Sequence, residues 1–157
     1  MHQSSLVVQE LQAQSLLTLI TTPDGAVRLA KTEQLANGGE LQLQQLPQKF
    51  QIVRIAENNS LYCCDEGRVL RFRCHEGSIQ FDNPEVVKIE GETEEVIVGF
   101  RHVIAVVREQ ADQVTLRIFD QQEPLDKFKD AELPFQLLSL QGDSIAIGKN
   151  VAYFIYN

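Results

Sequence analysis

The chain has 157 residues, 43% of them hydrophobic and 23% charged, with 22 Asp and Glu against 14 Lys and Arg for a formal net charge of -8. A chain of this length builds one globular domain with its own core and needs neither disulfides nor a structural metal to stay folded, and its evenly spread apolar residues exclude intrinsic disorder. The acidic balance excludes bulk nucleic-acid binding, which requires a positive face to displace counterions, and no apolar run approaches the ~18 residues of a membrane-spanning helix.

From Met1 to Gln14 there is neither the basic segment nor the apolar run of a secretory leader. The chain is therefore expected inside the cell, in cytoplasm or nucleus. Asn58-Asn59-Ser60 matches the N-glycosylation pattern, which carries no meaning without export. Period-two alternation and β-branched enrichment then dominate and predict strands throughout.

A first set of strands is expected at Leu6 to Leu11, Ser15 to Ile20, Ala26 to Ala30 and Glu40 to Leu46, with Pro23-Asp24-Gly25 as a hairpin turn. The alternation Leu41-Gln42-Leu43-Gln44 gives the last of these one solvated face. A second set is expected at Phe50 to Ile55, Ser60 to Cys64 and Arg68 to Arg73, turning at Asp65-Glu66-Gly67. Its closing strand is either Ser78 to Phe81, after the turn Glu76-Gly77, or the later Val86 to Ile89. The third set is expected at Val96 to Phe100, His102 to Val107, Gln113 to Phe119 and Leu125 to Phe128. The last is Phe135 to Leu140, Ser144 to Ile147 and Val151 to Tyr156, with turns at Gln141-Gly142-Asp143 and Gly148-Lys149-Asn150. No stretch sustains a long helical period. Asp120 to Pro134 has room for a short helical turn, but its length suits a loop and an outer strand.

These sets repeat. Leu16, Leu61, Val103 and Ile145 open the second strand of each, at separations of 45, 42 and 42 residues. Val27, Val69, Val114 and Val151 mark the third, at 42, 45 and 37. Four units result, near 6–46, 50–89, 96–128 and 135–156. A four-strand antiparallel unit of ~40–45 residues has the length of a propeller blade. In this spacing and strand pattern the chain resembles the β-propeller superfamily in a degenerate, WD40-like form. The Gly-His and Trp-Asp dipeptides of that family are absent, and only Phe119-Asp120 stands where a Trp-Asp pair belongs. The resemblance implies an all-β, propeller-like fold of three and a half to four blades, part of a larger propeller; a β-sandwich or pleckstrin-like pair of sheets is the competing all-β arrangement.

The final strand is apolar and aromatic, with no fourth strand encoded after it, and such an edge invites pairing with another chain. A longer natural protein, a different subunit or a second copy can supply the cover, and the first is favoured. Val151, Tyr153, Phe154, Ile155 and Tyr156 are accordingly candidate partner-binding residues. So are Glu92, Glu94 and Glu95 in the run IEGETEEV, which suits a basic partner if it is not simply a solvated loop between units.

No catalytic constellation is present in the sequence. There is no G-x-S-x-G, and His102 starts an apolar strand without a recognisable partner. Gly38-Gly39 precedes a strand, whereas a phosphate cradle needs a helix after it. Cys63 and Cys64 are neighbours that point to opposite faces of a strand, and Cys74 with His75 completes no chelating pattern. No metal or cofactor is expected, and the cysteines are expected as buried thiols. Arg68, Arg71 and Arg73 are expected to face water along their strand. The function these features imply is a non-enzymatic protein–protein interaction scaffold, a subunit of a larger intracellular complex that binds partners through loop faces or an open edge. The alternative is a ligand-binding or hydrolytic propeller whose site further blades complete.

Overall fold

The computed structural model describes residues 7–38, 40–111, 113–132, 136–140, 143–148 and 151–155. It is all-β, with the strands in antiparallel sheets that follow one another along the chain. The first sheet is a meander of β1 (Glu10–Ala13), β2 (Leu17–Thr21), β3 (Val27–Lys31) and β4 (Gln44–Gln45). A one-and-a-half-turn helix, α1 (Thr32–Asn37), separates β3 from β4 and ends at Gly38, whose φ of 65° is left-handed. The second sheet joins β5 (Ile52–Ile55), β6 (Leu61–Asp65), β7 (Arg68–Phe72) and β10 (Glu85–Lys88), with a separate hairpin of β8 (Cys74–His75) and β9 (Ser78–Ile79) between its last two strands. The third is β11 (Glu92–Val98), β12 (His102–Gln110), β13 (Gln113–Asp120) and β14 (Lys129–Glu132); the last is β15 (Gln136–Leu140), β16 (Asp143–Gly148) and β17 (Val151–Ile155).

Hydrogen bonding repeats from sheet to sheet. The turn between the first two strands closes on Gln14 N to Leu17 O in sheet one, Ala56 N to Ser60 O in sheet two and Gly99 N to His102 O in sheet three, at 2.8–2.9 Å. Leu16 O accepts from Thr32 N, and Arg101 O accepts from Gln121 N in the same way.

Alternation along β6 decides how the sheets stack. Leu61 and Cys63 point to one side, where they join Leu17, Leu19 and Leu29 of sheet one and Leu70 and Phe72 of sheet two. Tyr62 and Cys64 point to the other, into a cluster with Val103, Ala105, Val107 and Phe119 of sheet three. Sheet two is thus packed on both faces, and burying each large side chain there contributes about 1.5–3 kcal/mol. The opposite face of sheet three carries a further buried cluster of Ile104, Val106, Val114, Leu116 and Ile118. On the opposite face of sheet one Thr18, Ile20 and Ala30 are buried as well.

Several expectations change. Leu6 to Leu11 becomes the later Glu10–Ala13, and Glu40 to Leu46 contracts to the two-residue β4, although Leu41 to Gln44 keep their alternation of half-buried and exposed side chains. Both options for the closing strand of the second set form: the earlier gives the β8–β9 hairpin and the later pairs with β7. Leu125–Lys127 is a 3-10 turn, not a strand; its buried Leu125 side chain anchors it, and pairing to β13 starts only at Lys129. Glu92, Glu94 and Glu95 lie in β11, not in a loop, with a register shift between Thr93 and Glu95. Arg71 does not face water at all, because it is enclosed between sheets two and three.

Candidate interaction surfaces

The junction between sheets two and three is built around Arg71, which has 0% exposure. β7 aims its guanidinium at sheet three, and Glu85 on β10, beside β7 in sheet two, receives Nε and Nη2 at 3.0 and 2.6 Å. Nη1 donates to the Tyr62 hydroxyl at 3.0 Å and to the carbonyl of Asp120 at 3.3 Å, and Nη2 to the carbonyl of Glu123 at 2.7 Å. Glu85 also accepts from Arg73 Nε at 2.8 Å and from the backbone N–H of Leu125 at 2.9 Å. Burial alone would raise the Glu85 carboxyl, but these donors and the two arginine charges outweigh it and hold it below its ordinary value. Tyr62 is pushed up by desolvation, against the pull of Arg71.

The two asparagines of the β5–β6 turn join sheets one, two and three at their turn ends. Asn59 Oδ1 accepts from the backbone N–H groups of Leu16 and Leu17, and its Nδ2 donates to Ser15 Oγ. Asn58 faces the other way, with its N–H on Gln121 Oε1 at 3.2 Å and its amide on Gln121 O at 3.4 Å. Gln121 Nε2 in turn donates to the carbonyls of Gly99 and Phe100. This chain of bonds brings the β1–β2, β5–β6 and β11–β12 turns to one end of the molecule. Two large apolar side chains stand exposed there, Leu16 at 52% and Phe100 at 63%. Beside Phe100, Asp120 is held below the ordinary carboxylate value; burial opposes this, and hydrogen bonds from Arg101 and Gln122 N–H prevail.

Two inter-sheet grooves open at the other end. One, of about 390 Å³, lies by the β2–β3 turn and is lined by Asp24, Lys49 and Phe50 among others. The second, of about 400 Å³, lies by the β6–β7 turn and is lined by Asp65, Glu66 and Glu92.

Of the residues expected to bind partners, Glu92 borders this second groove, Glu94 is engaged by Arg108 and Glu95 is exposed on β11. Val151, Tyr153, Phe154 and Ile155 lie in β17, which pairs with β16 and runs beside β11; Tyr156 lies outside the described residues.

Neither Leu16 nor Phe100 is read as a binding residue from the sequence: Leu16 serves there as the marker that opens a second strand, and Phe100 closes the first strand of its unit. The available signal was position: both fall in the short turn between the first and second strands of their units, next to Ser15 and Arg101 respectively. Among the described residues no group of His, Cys, Asp and Glu is arranged to hold a metal ion. No helix of the described residues is long and apolar enough to cross a membrane. No protein-family model matches the chain, and no curated protein sequence matches it.

Proposed function

We propose that the chain is a propeller-like interaction scaffold that docks protein partners on the turn end formed by Leu16, Asn58 and Phe100. The observation carrying this function is that the amide side chains of Asn58, Asn59 and Gln121 at that end join sheets, while the large apolar residues Leu16 and Phe100 are exposed there. Exposed apolar groups on a rigid, polar-rimmed surface are the usual anchors of protein interfaces.

The propeller-like arrangement is supported by the outer faces of sheets one and three. Ile20 and Ala30 on one, and Ile104 and Leu116 on the other, are buried, yet they point away from sheet two. Outer faces buried in this way are what neighbouring sheets of a ring would cover. Face-to-face sheets of this kind present the turns of their inner strands together, and binding there needs no change of fold.

Site-specific photo-crosslinking in cells tests the function. A benzophenone side chain placed at Phe100 is expected to form an adduct with a discrete polypeptide. The same group at the exposed Lys129 on β14 is expected to form none. Absence of any adduct from both Phe100 and Leu16 would remove the turn end as a docking surface.

A further inference from the structure

We infer that the partner segment received at this turn end is a linear stretch in which apolar residues are interspersed with Lys or Arg, an inference that rests on the docking function above. The apolar half of the specification comes from Leu16 and Phe100, which lie on either side of the Asn58–Gln121 junction. The basic half comes from the charge left over around that junction.

Glu57 precedes Asn58 in the same turn, and Glu123 follows Gln121 by two residues; both are exposed, and among the described residues neither carboxylate makes an ion pair. The neighbouring cations are already committed. Arg71 is enclosed by Glu85, the Tyr62 hydroxyl and two carbonyls, one of them that of Glu123 itself. Arg101 reaches Asp120 Oδ2 at 3.0 Å. The surface therefore offers two hydrophobic anchors with an acidic rim, on a chain whose overall charge of -8 also disfavours an acidic partner. Exposed ion pairs contribute little affinity, so the anchors supply the binding and the rim supplies the choice of partner.

The test is a titration of the isotopically labelled full chain, followed by its amide NMR spectrum, with three short peptides that alternate leucine with arginine, with glutamine or with glutamate. The leucine–arginine peptide is expected to move the amides of Leu16, Asn58, Phe100 and Gln122, and to do so less as salt is added. The doubly substituted Leu16→Ser, Phe100→Ser chain is expected to bind it at least about tenfold more weakly, equivalent to about 1.4 kcal/mol. Both positions are on the surface, so the spectrum of that variant should otherwise stay that of the folded chain. Glu57→Gln with Glu123→Gln should leave the leucine–glutamine peptide unaffected and abolish the preference for arginine.

Equal binding of the three peptides, shifts confined to another surface such as β11, or no shift with any peptide would each overturn the inference. The docking function stands or falls separately, because an adduct at Phe100 with a partner lacking basic residues would sustain it while removing the charge rule.

Discussion

The side-chain oxygen of Asn59 lies 3.0 Å from the backbone nitrogen of Leu16 and 3.1 Å from that of Leu17, so one residue in the second sheet ends the first hairpin of its neighbour. Asn59 makes these bonds from a backbone with φ of 66°, in the left-handed region that asparagine tolerates better than most residues. Conformation and bonding thus select the same side chain.

Two substitutions separate these contributions. Asn59→Gly relaxes the backbone but leaves the Leu17 N–H buried without a partner, at a cost of about 2 kcal/mol. Asn59→Ala loses the same bonds and adds about 1 kcal/mol for the left-handed backbone. Thermal melts are expected to order the variants as native, then Gly, then Ala, with each kcal/mol worth roughly 2–4 °C in a domain of this size. Identical melting of the Gly and Ala variants would show that the backbone conformation carries no cost.

Glu85 predicts an acid-sensitive junction between sheets two and three. Removing its carboxylate as Glu85→Ala strands the fully buried Arg71 guanidinium, and about 3 kcal/mol is expected, the lower end for a broken buried pair because Glu85 itself is 31% exposed. Its folded pKa is lowered, so the folded chain holds that proton less tightly than the unfolded one. The stabilisation is therefore complete above the ordinary glutamate value of about 4.3 and is lost as pH falls through the lower folded value. Urea midpoints measured from pH 6 down to pH 3 should fall steeply in the native chain and less steeply in Glu85→Gln. Parallel acid limbs would mean that Glu85 does not contribute to them.

Cys63 and Cys64 show what the sequence makes legible, and Arg71 shows what it does not. Adjacent residues on a strand must face opposite ways, and the two thiols do enter different clusters, one toward sheet one and one toward sheet three. The same alternation places Arg71 and Arg73 on one side of β7 without revealing that the next sheet covers only the first. That depends on the carbonyls of Asp120 and Glu123, some fifty residues further on, which no local pattern encodes. Helix α1 escaped notice for a different reason. Six residues span less than two turns, too few for a helical period to show. The turn end was hidden likewise, since Leu16 and Phe100 are informative only once neighbouring turns are known to meet.

Gly91 is the position where a single methyl group should do most harm. With φ of 128° it opens β11, and a Cβ there would stand 2.5 Å from the carbonyl oxygen of Arg108 on β12. Neither atom is the end of a flexible side chain, so the strands would have to separate. Gly91→Ala is expected to cost about 3 kcal/mol or more, combining steric overlap with a backbone conformation reserved for glycine. Gly25→Ala, at φ of 85° with open space around it, should cost only about 1–2 kcal/mol. Chemical denaturation of the two variants side by side measures the difference, and equal losses would refute the close approach at Arg108.

The thiols report on the packing of sheet two from both sides. Burial raises Cys63 far above its ordinary value, with the neighbouring Cys64 and Asp65 adding to the effect, and pushes Cys64 up to about 12. Cys74 is half-buried and is also raised by desolvation, partly offset by a backbone hydrogen bond from Gly77. Because the thiolate is the reactive form, an aromatic disulfide reagent at mildly alkaline pH is expected to modify Cys74 slowly in the native chain. Cys63 and Cys64 should react only at the rate of unfolding. Serine substitution then distinguishes the two faces. Cys64 has a hydrogen-bond partner in Thr93, so Cys64→Ser keeps its hydroxyl satisfied. Cys63 is surrounded by Leu17, Leu61 and Leu70 in an apolar cluster, where a hydroxyl costs about 1–3 kcal/mol. Cys63→Ser should therefore melt below Cys64→Ser, and the reverse order would mean that the sheet-one face is not the drier of the two.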